Sequence, residues 1–382
     1  MISPFLGKRL RSRNYKTNQN YNYNKKKGCL HGKGCLHCLG EGRLPPFHNS
    51  RKCGTLAKIF IGALNIFSVL ALVIFLKKCS DGERNQLRLE SYCFRSGKIK
   101  RAHRFLFLTD VHEKEFGEKN EELLRRIRAL RPDFILLGGD LVVCHKRRSE
   151  RDRVRKSVRL LRALGREFPV YLALGNHEER LFEKAGWRGR YFRAEYPRKE
   201  HAKSREKAAL FERGLGAVRL LDKETVLPEG GLSDLSLSGV SLPMEYYRPL
   251  PFRKKKPLSP AELRRAAGFP EDGAKGRYHI FLLHTPLYDE EAVRSGADLV
   301  LSGHLHGGTI RLPLIGGVMT PQYRLFVKKV SGLFPIRGGN LVISRGIGTH
   351  TVNIRLNNPP ELSLITLLPE REEERGNGET AL

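Results

Sequence analysis

From residue 99 onward, short unbroken apolar runs alternate with longer stretches whose apolar residues recur every three or four positions. The first runs are 104–108 (Arg-Phe-Leu-Phe-Leu), 134–137 (Phe-Ile-Leu-Leu) and 170–174 (Val-Tyr-Leu-Ala-Leu). Such runs, closed by turn residues, suit strands buried on both faces. Between them, 118–130 puts Leu123, Leu124, Ile127 and Leu130 on one helical face and stops at Pro132; a charged helical stretch covers 146–164. Strand, helix, strand, helix, strand predicts right-handed crossovers and a parallel sheet, hence an α/β fold. Further strands are expected at 278–283, 297–301, 341–344 and 362–367.

The first 78 residues follow another pattern. Positions 59–76 form an uncharged run of 18 residues whose only polar members are Asn65 and Ser68, flanked by Lys58, Lys77 and Lys78. A bilayer core takes about 20 apolar residues in a helix, and flanking lysines reach its interfaces. A transmembrane helix is therefore expected over 59–78. No small-residue cleavage site follows it, so it is expected to stay attached. Residues 1–58 carry 13 Lys/Arg against one acid, Glu41, with no sustained apolar period, and are expected to be a basic disordered tail. Bases close to the run nearly balance, three before and four after. The wider basic tail favours a cytoplasmic N-terminus, giving a single-pass cell-membrane protein with an extracytoplasmic body.

Composition narrows the class. Apolar residues make up 40% and charged residues 29%, which excludes a fully disordered chain and a multi-span membrane protein. The net charge of +30 is steepest in the tail. The seven cysteines are too few for a disulfide scaffold. The tail repeats Gly-Cys-Leu-His and so gathers Cys29, His31, Cys35, His37 and Cys38. These are zinc-ligand types, but their spacing is unlike that of structural zinc sites, so low complexity is the expected reading. The acidic end, 370–382, is expected to be disordered.

The strand ends carry the chemistry. Asp110 and His112 follow the first run, Asp140 the second, Asn176 and His177 the third, His284 the fourth, and His304 and His306 the fifth. In α/β sheets, ligands gather at the carboxyl ends of strands. Carboxylate, imidazole and amide oxygen without thiolate suit manganese, iron or zinc. Counting His177 apart as an adjacent eighth, seven ligands exceed the needs of one ion and suit two divalent ions sharing a carboxylate, the clamp used in phosphoester hydrolysis. Any one of these residues alone reads as a turn, cap or core residue; the ordered set is what points to metal. His103, His145, His201, His279 and His350 fit no motif. His279 begins its strand instead of ending it, and His350 could approach the site.

Asp110-x-His112, Gly139-Asp140, Gly175-Asn176-His177-Glu178, His284 and Gly303-His304-x-His306, in this order, resemble the calcineurin-like metallophosphoesterase family over residues 100–370. The segments 303–313, 344–349 and 358–362, with the preceding apolar run, are similar to its membrane-anchored bacterial YkuE/YaeI-like branch. The resemblance implies two packed mixed β-sheets flanked by helices (four-layer α/β/β/α), with a phosphoesterase domain over 99–369 and a basic insertion over 180–275. It implies that Asp110, His112 and His306 hold one ion, that Asn176, His284 and His304 hold a second, and that Asp140 bridges both. A hydroxide between the ions would attack phosphorus in line. His177 would serve as the catalytic proton donor, or as a stabiliser of charge at the leaving oxygen. Members of this branch have been assigned to cell-envelope phosphate chemistry, so the expected substrate is a phosphodiester or pyrophosphate, lipid-linked or in the envelope.

The glycines at 138, 139, 175 and 303 are expected to give tight turns where a side chain would clash. Glu178 is expected either to orient an imidazole or to be a solvated loop carboxylate. In the insertion, Arg253-Lys-Lys-Lys256 and the aromatics Trp187, Tyr191, Phe192, Tyr246 and Tyr247 could grip a membrane or stack bases. Alternatives are a nucleotide or nucleic-acid phosphodiesterase, which the basic surface permits but does not favour, and a non-catalytic scaffold.

Overall fold

The computed structural model describes residues 50–144, 151–186, 202–222, 224–247, 255–270, 275–349 and 352–370. The cysteine-rich tail, His145, His201, His350, Trp187, Tyr191, Phe192, Arg253, Lys254 and the acidic residues beyond 370 lie outside these. The chain divides into two units, Met1–Gly62 and Ala63–Leu382. In the first, the described residues 50–62 are helical.

In chain order, α1 (Ser50–Glu83) precedes β1 (Arg88–Ser96), β2 (His103–Leu108), α2 (Glu121–Leu130) and β3 (Phe134–Leu137). Next come α3 (Arg151–Glu167), β4 (Val170–Leu172), α4 (Asn176–Lys184), α5 (Ala202–Gly214), β5 (Arg219–Leu220), β6 (Thr225–Val226) and β7 (Leu235–Val240). The second half holds α6 (Pro260–Ala266), β8 (Tyr278–Leu283), α7 (Asp289–Arg294), β9 (Leu299–Ser302), β10 (Arg311–Leu312), β11 (Gly316–Met319) and β12 (Leu325–Val327). It closes with β13 (Gly332–Ile336), β14 (Gly339–Ile343) and β15 (Glu361–Pro369).

Two six-stranded mixed sheets form, ordered β1-β15-β2-β3-β4-β5 and β13-β14-β9-β8-β7-β6, with a separate antiparallel trio β10-β11-β12. In the first sheet β2, β3 and β4 run parallel, as the crossover pattern requires. In the second, β7, β8, β9 and β14 do the same. The strand period of two sorts each apolar run between two layers. Phe105, Phe107, Phe134 and Leu136 meet Leu237, Ile280, Leu282, Leu299, Leu301 and Val342 between the sheets. There Phe105 and Phe134 stack with ring centroids 4.7 Å apart. The intervening residues Leu106, Leu108, Ile135 and Leu137 face Leu123 and Ile127 of α2 and Leu160, Leu161 and Leu164 of α3. Phe281, Leu283, Val300 and Ile343 of the second sheet face Leu263 of α6 and Ala292 and Val293 of α7. The layers are therefore helix, sheet, sheet, helix. Fully burying one such side chain is worth about 1.5–3 kcal/mol, so the strand ends rest on a rigid base.

The domain starts earlier than residue 99. β1 pairs in parallel with β15 along its whole length, from Arg88 opposite Glu361 to Ser96 opposite Pro369. In α1, Ile66, Phe67, Val69, Leu70, Val73 and Phe75 are all exposed. Among the described residues no helix is long and apolar enough to cross a membrane. The apolar run of α1 includes Ile59, Phe60, Ile61 and Ala63, whose side chains lie outside the description.

Candidate metal centre

The loop after β2 is tied to the loop after β3. Asp110 N–H donates to the Gly139 carbonyl (3.0 Å), His112 N–H to the Asp140 carbonyl (2.9 Å) and Glu113 N–H to the Leu141 carbonyl (3.0 Å). Asp110, His112, Asp140, His304 and His306 all take positive φ, between 46° and 68°. Such backbone is costly for residues with a Cβ and collects where side chains are aimed for function. Two glycines make room for the carboxylates. A Cβ on Gly175 would lie 2.2 Å from Asp140 Oδ1, and one on Gly303 would lie 2.3 Å from Asp110 Oδ2.

All eight residues singled out by the sequence are buried, and the seven other than Asn176, which immediately precedes His177, come together. Asp110 Oδ1 lies 3.4 Å from His306 Nε2, 3.7 Å from His112 Nε2 and 3.9 Å from His284 Nε2. Asp140 Oδ2 lies 3.1 Å from His284 Nε2 and 3.7 Å from His112 Nε2. The Nε2 atoms of His112 and His306 face each other at 3.2 Å. Three groups are spaced to hold a cation: Asp110, His112 and His306; His112, Asp140 and His177; Asp140, His284 and His304. Asp140 and His112 each belong to two of them.

In both carboxylates, and in His284, one atom is tied to the backbone and the other is turned toward the cluster. Asp110 Oδ2 accepts from His304 N–H (2.9 Å), and Asp140 Oδ1 accepts from His177 N–H (2.8 Å) at the start of α4. His284 Nδ1 donates to the Gly138 carbonyl (2.7 Å), which turns Nε2 inward. Asp110 Oδ1, Asp140 Oδ2, Asn176 Oδ1 and His284 Nε2 are buried without a hydrogen-bond partner. Buried polar atoms are rarely left so, and Asp110 Oδ1 and Asp140 Oδ2, at 3.9 and 3.1 Å from His284 Nε2, are donors that fit divalent cations. The electrostatics agree. Burial alone would raise the Asp140 carboxyl, but His284, His177 and His112 hold it well below the usual range. Burial opposes charge on His284, yet Asp140 and Asp110 push it up to about 9.

His177 differs from the others. Its Nδ1 accepts the Cys144 N–H (3.0 Å), so the neutral ring carries its proton on Nε2.

Several neighbours take roles that the sequence did not show. Glu178 is neither solvated nor set against an imidazole. It is fully buried, and its carboxylate accepts the N–H groups of Asp140 (2.8 Å), Leu141 (2.7 Å), Val142 (3.0 Å) and Gly175 (3.0 Å). Burial and the Asp140 charge raise it to about 7. A glutamate three residues after the glycine that caps α4 is the sequence signal for this role. Tyr246 and Tyr247 are buried, not surface aromatics. Tyr247 packs edge-on against His304 (5.1 Å between centroids) and tilted against His284 (6.0 Å). Gln322 reaches His304 Nε2. Arg355, fully buried and pulled down to about 10 by that burial, donates to the carbonyls of Arg345, Gly346, Gly348 and Asn358. It thereby fixes the loop whose Gly348 N–H meets the Asp110 carbonyl at 2.6 Å.

Two further described histidines and the described lysines of the 253–256 run have partners elsewhere in the fold. His103 pairs with Asp234 (2.7 Å), and His279, pushed down to about 3 by burial, stacks on Phe269 (4.1 Å). Lys255 is held by Glu291 (2.6 Å) and Lys256 by Glu245, so the described half of the 253–256 run is paired.

Residues 103–308 match the family model described as Calcineurin-like phosphoesterase. The chain is 21% identical to the uncharacterized protein YpbG of Bacillus subtilis (strain 168), over 81% of this chain and 98% of that one. It is 31% identical to the uncharacterized metallophosphoesterase YkuE of the same organism, over 24% and 31% of the two chains. It is 33% identical to the phosphodiesterase YaeI of Escherichia coli (strain K12), over 23% and 32%.

Proposed function

Because the chain belongs to the calcineurin-like phosphoesterase family, we propose that it is a membrane-anchored, two-metal hydrolase of a phosphodiester or pyrophosphate bond in a lipid-linked or envelope substrate. The observation that carries this reading is the Asp140 carboxylate, whose Oδ2 has no hydrogen-bond partner and faces His112 and His284 from between two ligand groups. Asp110, His112 and His306 would hold one divalent cation, Asn176, His284 and His304 the other, and Asp140 both. Manganese, iron or zinc fits these donors. Such cations supply a nucleophile from water near neutral pH and offset charge on the phosphoryl oxygens.

The chain's own groups do the rest. His177 holds a proton on Nε2 for the leaving oxygen, because the Cys144 N–H occupies its other nitrogen. Glu178 keeps the Asp140 loop and the start of α4 in register. Tyr247 walls the His304 side against water. Membrane attachment is read from the uncharged run 59–76 between lysines and from the exposed apolar side chains of α1. The basic tail argues for a body on the extracytoplasmic side.

The test uses the full chain in detergent, with bis-p-nitrophenyl phosphate and p-nitrophenyl phosphate as substrates and with metal content measured per chain. Manganese-dependent diester cleavage, two metals per chain and loss of both in Asp140→Asn are expected. A chain that binds no metal would overturn the reading.

A further inference from the structure

The trio β10-β11-β12 inverts the usual burial pattern. Leu312, Leu314, Ile315, Tyr323, Leu325 and Phe326 expose between 40% and 99% of their surface, Leu314 the most. The three most unusual positions share a backbone feature: Leu314, Tyr323 and Phe326 hold φ of 65°, 59° and 54°. Bulky residues rarely take this conformation, and glycine or asparagine would hold such turns without apolar exposure. One side of the trio packs on the metal-site loop, where Thr309 Oγ1 donates to the Met319 carbonyl (3.1 Å) and Gly308 abuts Gly317.

The edges of the trio are basic. An open groove of about 420 Å³ beside the β10–β11 turn is lined by Arg88, Arg311, Leu314, Lys328 and Arg345. Arg88 and Arg345 pair with Glu90 (3.1 and 2.8 Å), while Arg311 and Lys328 are in no ion pair among the described residues. At the other end, Tyr323, Met319 and Pro321 line a small cavity that reaches His306. The same segment that carries β10 also seats the end of α1. Arg311 N–H donates to the Leu356 carbonyl (3.0 Å), Arg355 N–H to Ser80 Oγ (3.0 Å), and Asn358 N–H to Glu83.

We propose that the β10–β12 trio is a second membrane contact, which lies on an anionic phospholipid surface with its apolar turns at the acyl boundary and lipid phosphates in the Arg311–Lys328 groove. Exposed apolar side chains rimmed by cations are the chemistry of an interfacial contact. Continuity with α1 gives the trio the same surface, and this inference rests on the membrane reading of that helix. The contact sets the cavity beside His306 at the lipid interface.

The experiment replaces the chain's single tryptophan, Trp187→Phe, and introduces Leu314→Trp. A parallel chain carries Leu325→Trp in case the first fails to fold. The control is Arg166→Trp, at the end of α3 that leads into the start of β4 and so away from the strand ends. Full-length proteins are reconstituted into phosphatidylcholine vesicles with and without phosphatidylglycerol, and flotation and quenching by brominated lipid are read. Flotation with at least about twofold quenching at 314 or 325, weaker without the anionic lipid or in high salt, and none at 166, is the expected result. Flotation with unquenched, iodide-accessible tryptophans at 314 and 325 overturns the contact and leaves the anchor standing. Shielding from iodide without vesicles assigns the surface to a second copy and overturns it too. Failure to float removes anchor and contact together.

Discussion

The strand-end cluster and the β10–β12 trio break the same rule in opposite directions. At the strand ends, eight polar side chains are buried, and oxygens of Asp110, Asp140 and Asn176 there have no hydrogen-bond donor. On the trio, six large apolar side chains face outward. Both regions hold residues at positive φ. Yet they sit on the same support: the loop after β9 carries His304 and His306 and then enters β10. Strain and inverted burial in a well-packed fold suit contact with a component other than protein, divalent cations in one place and, as proposed, lipid in the other.

Four substitutions test that contrast, the largest effect first. Asp140→Asn should lower kcat/KM for the diester by about 10³-fold, since several kcal/mol of charge stabilisation depend on the metals it helps hold. Circular dichroism should stay native; an unfolded variant would make Asp140 a structural residue. His177→Ala should cost about 10²-fold in kcat with metal content unchanged. The loss should shrink as the leaving group becomes more acidic, and a constant loss would deny it the proton.

Glu178→Gln should destabilise the fold by about 2–4 kcal/mol, through four weakened hydrogen bonds, as read by urea unfolding. Its pH signature has a definite sign. The carboxyl is raised to about 7 in the fold, so its contribution is full below its unfolded pKa and is lost as pH rises toward 7. Metal-stripped wild type should therefore lose stability between pH 5 and 7 more steeply than the glutamine variant. Leu314→Asn should leave the unfolding free energy unchanged or raise it by about 0.5–1 kcal/mol, because asparagine tolerates this φ and no packing is lost. A clear loss would mean that Leu314 packs inside the protein.

The sequence was most legible where both faces of a strand are buried. The runs 134–137 and 278–283 became β3 and β8 with those bounds, since nothing polar interrupts them. The metal-type residues were legible because each follows such a run. β1 was missed: its exposure alternates, and its partner β15 lies some 270 positions away, beyond the reach of any local pattern. Tyr247, Gln322 and Arg355 were missed for a related reason. Each enters the site from a connection between strands, several residues from the nearest strand end, where no local pattern marks it.

The junction between α1 and the body has a mechanical meaning. Four residues separate Glu83 from Arg88, and Ser80 and Glu83 are already fastened to the 355–358 segment. Four extended residues span at most about 14 Å. The catalytic body is thus mounted on a short bracket and has no leash. If α1 lies in a membrane as proposed, this short junction would fix the working height and tilt of the site, and substrates would be sampled per unit area by lateral diffusion. A molecule whose scissile phosphate stood at another height would then stay out of reach, however abundant in solution.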